Sequence, residues 1–162
     1  MNADAFRHFY DYHFSENRKL WELAASLSDE QFTRDGDYSY GSVRNQIVHI
    51  MSDDDMWFSG LRGVEIPDLL DPSDFDDRKT IRTYWDNVEG RMREYLAALQ
   101  DDMLFDQPLE EPEEDKELRV WQVLLHVVNH GTDHRAQTLR VLNDLGLETT
   151  SQDYIFYVYN NM

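Results

Sequence analysis

Apolar side chains recur along this chain at three- and four-residue steps, the period of a helix that buries one face. Four segments carry the pattern. In the first, about Ala3 to Leu27, one stripe collects Phe6, Phe9, Tyr10, His13, Asn17, Leu20, Trp21, Ala24 and Leu27. The second begins after Gly41, with Ser42 as its N-cap, and runs to about Leu61, where Gly60 and Gly63 bracket the end. The third spans roughly Lys79 to Gln100, with Ile81, Tyr84, Trp85, Val88, Met92, Tyr95, Leu96 and Leu99 inward. The fourth runs from about Val120 to Leu145, and Gly146 stands where a C′ glycine belongs.

The connections have their own signals. Ser28 with Gln31 reads as a capping box for a short turn, Asp29 to Phe32, and Asp35-Gly36-Asp37 marks a chain reversal. Gly63 to Asp77, with Pro67 and Pro72, is longer than two antiparallel neighbours need. At ~3.3 Å per extended residue it can run the length of a bundle. That permits the second and third helices to lie parallel, joined by a crossover, although the pattern alone leaves the topology open. Asp101 to Arg119 is acidic, contains Pro108 and Pro112, and reads as a loop or irregular hairpin. The tail Tyr154-Ile-Phe-Tyr-Val-Tyr159 is too apolar to be free, and is expected to pack on the bundle or on a second subunit. The fold expected is all-α, one helical domain over residues 1–162, with no internal repeat.

Charge narrows the function. The formal net charge is -18, which argues against nucleic acid and anionic membrane surfaces, since both must be met by clustered Lys and Arg. There is no cysteine, which excludes disulfides, zinc–thiolate sites and a cysteine nucleophile. Met1 leads straight into a charged amphipathic pattern, and no uncharged run approaches the ~18 residues of a membrane helix, so the cytoplasm is the expected location. Neither a Gly-rich phosphate loop nor a serine nucleophile elbow is present.

The histidines carry the chemistry. At ~100° per residue, His126 and His134 lie about 40° to either side of His130, on the face that also carries Val123, Val127, Val141 and Leu145. Imidazoles on an inward face are costly unless each finds a partner, and His at i and i+4 is a workable ligand pair for a metal. His49, on the second helix beside Ile50, Trp57 and Leu61, supplies a third nitrogen, with Asp53 one turn on. His49, His130 and His134 then form a three-histidine site that leaves positions open for water or substrate, the arrangement of catalytic metals. His13 and Asn17 interrupt the apolar stripe of the first helix and are expected to face the same cavity. Each feature has a plainer reading: a lone inward histidine is usually satisfied by one hydrogen bond, and Asp53 by solvent. The metal reading rests on their sum.

These residues resemble the DinB/YfiT-like family, whose members are read as metalloenzymes. The resemblance runs nearly end to end. It is carried by Tyr12 to Leu20, by Tyr40 to His49 leading to Trp57, and most specifically by Val120-Trp-Gln-Val-Leu-Leu-His-Val-Val-Asn-His-Gly-Thr-Asp-His-Arg-Ala-Gln137 followed by Leu145-Gly146. It implies a four-helix bundle of up-down-down-up order, a divalent metal on His49, His130 and His134, and a homodimer. His126 is implied as a neighbour of the ligands rather than one of them. Relatives in the wider superfamily include transferases and isomerases that use the thiols bacillithiol or mycothiol. Two positions depart from the family pattern: His13 stands where asparagine is usual, and Arg135-Ala136-Gln137 replaces Arg-Gly-Gln.

The function expected is a metal-dependent enzyme acting on a small molecule, as a thiol-dependent S-transferase or a hydrolase. Its ion would be zinc or nickel, with iron also compatible with imidazole. Asp53 and His13 are the expected acid/base or orienting groups, and Asn17 and His126 are expected to face the cofactor. Two rivals are a non-catalytic, stress-related metal- or ligand-binding bundle and a metal-free dimeric helical protein.

Overall fold

The computed structural model describes residues 1–75 and 77–162. Asp76, inside the expected crossover segment, lies outside them. Among the described residues the chain is all helical, with six α-helices and no strand. Four are long: α1 (Ala3–Ala25), α3 (Val43–Leu61), α4 (Arg78–Ala98) and α5 (Val120–Asp144). They correspond to the four periodic segments. The short α2 (Asp29–Thr33) follows α1, and α6 (Tyr154–Asn160) ends the chain.

Local chemistry sets the boundaries. Asn2, Ser42 and Asp77 accept backbone N–H groups at the starts of α1, α3 and α4, satisfying donors that no helical carbonyl reaches. Both halves of the Ser28–Gln31 capping box form at α2. Gly146, at φ +92°, takes the left-handed conformation that ends α5. The 101–119 segment is a loop, as one of the two readings had it; it holds two 3-10 turns, Met103–Phe105 and Glu113–Asp115, and is closed where the Gln107 side chain donates to the Glu117 carbonyl. The apolar tail folds as α6. Its Tyr154 and Tyr157 rings pack against Tyr12, while Ile155, Phe156 and Tyr159 stay exposed.

Helix α5 packs on α3 and on α1, and α4 packs on the same two helices. The core divides into two apolar clusters. One gathers Phe6, Tyr10, Phe14, Phe58, Met92 and Val127. The other gathers Leu20, Ile47, Ile50, Trp85 and Leu142. Between them along α1, α3 and α5 lies a buried polar layer of His13, Asn17, Asp54, Arg135 and Thr138, each no more than 3% exposed. No helix of the described residues is long and apolar enough to cross a membrane.

Candidate metal centre

His49 and Asp53 stand one turn apart on α3, and His130 and His134 one turn apart on α5. Because α3 and α5 pack together, the two i, i+4 pairs meet. His49 faces His134, with their Nε2 atoms 3.2 Å apart. Asp53 faces His130, its Oδ2 lying 2.9 Å from that Nε2 and 3.0 Å from Nε2 of His49. The three histidines each offer a ring nitrogen, all within 4.8 Å of one another, a group that could hold a metal ion. Tyr40 stacks on the His49 ring at 4.0 Å between centroids and covers the group from the loop before α3.

The group sits at the rim of the bundle. The side chains of His49, Asp53 and His130 are 14%, 16% and 17% exposed, so the site is sheltered but open to solvent on one side. Burial lowers the basicity of His49, and the adjoining imidazoles lower it further, to a pKa of about 4 against the opposing pull of Asp53. His134 is lowered by burial and by His130. Burial raises the Asp53 carboxyl, but the hydrogen bond from His130 and the surrounding imidazoles outweigh it and leave the group below the ordinary aspartate value. Near neutral pH, His49 and His134 are therefore neutral, with ring lone pairs available, beside a carboxylate. The donor set fits a divalent ion in both chemistry and placement. The Nδ1 of His134 is buried with no hydrogen-bond partner.

The other residues expected from the sequence lie nearby in two different settings. His126 packs edge-on against Trp57 at 4.8 Å between centroids, with its ring 5.7 Å from that of His130. It also borders a cavity of about 830 Å³ between α1, α5 and the 152–154 segment, where Phe9, Tyr12, Asn129 and Tyr154 supply other walls. His13 and Asn17 belong to the buried layer. Their side chains meet each other at 3.1 Å and meet Arg135, whose Nη1 lies 3.1 Å from Nδ1 of His13 and 2.9 Å from Oδ1 of Asn17. His13 also faces Asp54, its Nε2 3.6 Å from Oδ2. Neither is in the three-nitrogen group.

Asp54, Arg135, Gly131 and Tyr40 were not singled out from the sequence. Gly131 had a readable signal, since glycine inside a helix costs ~1 kcal/mol against alanine and wants a packing reason. The reason is His13: a Cβ at Gly131 would lie 2.5 Å from its Cε1.

The family model described as "DinB family" matches residues 1–161. The protein named "Protein DinB" of Bacillus subtilis (strain 168) is 24% identical over 166 residues, covering 98% of this chain and 96% of that protein. With a family match that spans the histidine-bearing helices and nearly every other residue, this chain belongs to the DinB family.

Proposed function

We propose that this chain is a metal-dependent enzyme that acts on a small molecule at the His49–His130–His134 group. The observation that carries the reading is the meeting of three imidazole nitrogens from two helices within 4.8 Å, with a carboxylate oxygen against two of them. A divalent ion held there, zinc or nickel first and iron next, supplies a Lewis-acidic centre. The residues themselves do the rest. Packing between α3 and α5 holds the three rings, and Tyr40 keeps His49 turned toward its partners. Asp53 Oδ2 is placed to receive a proton from a thiol or a water entering from the open side. His126 borders the 830 Å³ cavity and reaches toward His130, so it faces a bound small molecule from the apolar flank.

Two reaction classes suit these parts, transfer of a group to a low-molecular-weight thiol and hydrolysis; both need a deprotonated nucleophile beside an electrophile. The resemblance to thiol-using relatives favours the first. We read the four long helices as an up-down-down-up bundle, supported by the pairing of α4 and α5 each with α1 and α3. The chain is taken to act in the cytoplasm as a homodimer.

The test is metal content. Protein purified without added metal is expected to carry a divalent ion at near one per chain by elemental analysis, and His130→Ala is expected to lose it while keeping helical circular dichroism. Stoichiometric metal retained by His130→Ala would overturn the ligand assignment.

A further inference from the structure

His13 touches no member of the three-nitrogen group, yet it bears on both helices that carry it. Its ring is fully buried on α1. Nδ1 lies 3.1 Å from Nη1 of Arg135. A guanidinium has only N–H groups to offer, so Nδ1 accepts and the ring proton of neutral His13 sits on Nε2. Nε2 points to Asp54 Oδ2 at 3.6 Å, an electrostatic contact beyond hydrogen-bond length. Asp54 is 1% exposed and neither of its carboxylate oxygens has a hydrogen-bond partner. The Asn17 amide nitrogen lies 3.1 Å from Nε2 but is itself a donor, its oxygen being committed to Arg135, so the carboxylate that faces the ring proton is Asp54, in an electrostatic rather than a hydrogen-bonded contact. On its third side the ring rests on the backbone of α5 at Gly131, with no room for a methyl group.

The contacts on α3 and α5 are each the chain neighbour of one of the histidines or of Asp53 beside them. Asp54 follows Asp53, Gly131 follows His130, and Arg135 follows His134. Successive residues on a helix point ~100° apart, so one face of α3 and α5 forms the metal group and the adjoining face is clamped by His13. We propose that His13 is a positioning residue for the metal centre: from α1 it holds α3 through Asp54, and α5 through Gly131 and Arg135, at the separation that brings the three ligand nitrogens together. This rests on reading His49, His130 and His134 as a metal site.

The test reads Co²⁺ binding by folded protein through its absorption spectrum, with thermal melting of the metal-free form measured in parallel. His13→Leu removes the polar contacts with Arg135, Asp54 and Asn17, and Gly131→Ala displaces the ring without removing any polar group. Each is expected to weaken Co²⁺ binding by roughly 10-fold or more, the range seen when groups behind metal ligands are lost, and to shift the Co²⁺ d–d bands. His13→Gln, with an acceptor and a donor at similar reach, is expected to recover part of the affinity that His13→Leu loses. In a His13→Ala background, where the ring is gone, Gly131→Ala is expected to cost little further affinity. Wild-type affinity and spectrum in both His13→Leu and Gly131→Ala, with only the melting temperature lowered, would make His13 a core residue and nothing more. If one of them does not fold, the comparison between His13→Ala and His13→Ala/Gly131→Ala decides, a large added loss in the double variant counting against the proposal. Failure of the wild type itself to bind Co²⁺, or full binding by His130→Ala, would instead overturn the metal reading beneath it.

Discussion

Replacing Arg135 by methionine should be among the most damaging single changes in this protein. The side chain is 1% exposed and spends its donors on four acceptors: His13 Nδ1 at 3.1 Å, Asn17 Oδ1 at 2.9 Å, Thr132 Oγ1 at 3.1 Å and Gln152 Oε1 at 3.0 Å. Methionine fills much of the volume but donates to none of them. Hydrogen bonds to a charged group are worth ~1.5–3 kcal/mol each, but four in one network do not add, because the variant also escapes the cost of burying a cation. Breaking a buried charge arrangement by removing one partner costs about 3–5 kcal/mol, and here Asp54 would remain as a buried carboxylate with no cation in its layer. For a chain of this size 1 kcal/mol shifts the melting temperature by roughly 2–4 °C, so the expected fall is about 10–15 °C. The loss should also release the chain end, because Arg135 holds the Gln152 side chain while Gln152 reaches the Thr132 carbonyl and accepts from Tyr12. Urea denaturation of the metal-free protein gives the free energy, and limited proteolysis after residue 150 reports the release. A cost under ~1 kcal/mol with the C-terminal segment still protected would refute the argument that this guanidinium organises the buried layer.

Acid should weaken the metal-free protein between about pH 6.5 and 4. His13, His49, His126 and His134 all lie below the ordinary histidine value, in each case chiefly through burial, so the unfolded chain binds protons first and stability falls as pH drops through that window. Asp53, held below its ordinary value, joins only at lower pH, and a urea midpoint that stays flat or rises from pH 6.5 to 4.5 would contradict this. Tyr10→Phe should cost about 0.5–1.5 kcal/mol, the worth of one neutral hydrogen bond, because its buried hydroxyl donates to the Leu124 carbonyl at 3.0 Å; an unchanged urea midpoint would mean that the carbonyl is satisfied without it.

The long helices were legible because each has one strongly periodic stripe, and their observed ends differ from the expected ones by no more than two residues. The three-histidine group was legible for the same reason: His49, His130 and His134 share faces with residues that must be buried. The polar layer was not. Arg135 lies about 140° around α5 from His130, outside the stripe that the histidines mark, and an arginine there reads as solvated. It is buried because α5 packs on two helices, with α3 covering the histidine face and α1 the face of Gly131, Arg135 and Thr138. A periodicity argument finds one buried face at a time. The helical form of α6 was hidden for another reason: its seven residues are too few for a period to declare itself, and nearly all are apolar or aromatic.

The two buried faces of α5 also explain how a helix without ligands can govern the site. The histidine nitrogens come from α3 and α5 alone, so an ion bound there joins only those two, and its binding free energy adds to their shared interface. The other two long helices reach the same level through polar contacts on the neighbouring faces. From α1 come His13 and Asn17, facing Asp54 and Arg135. From α4, Tyr84 donates to Asp55 at 2.7 Å and Arg91 pairs with it at 2.6 Å. Asp53, Asp54 and Asp55 thus turn three consecutive carboxylates of α3 in three directions, one to the histidines, one to α1 and one to α4. At ~100° per residue no single-faced helix could bury all three, so the run serves as the junction at which the four long helices fix the rim where the imidazoles meet.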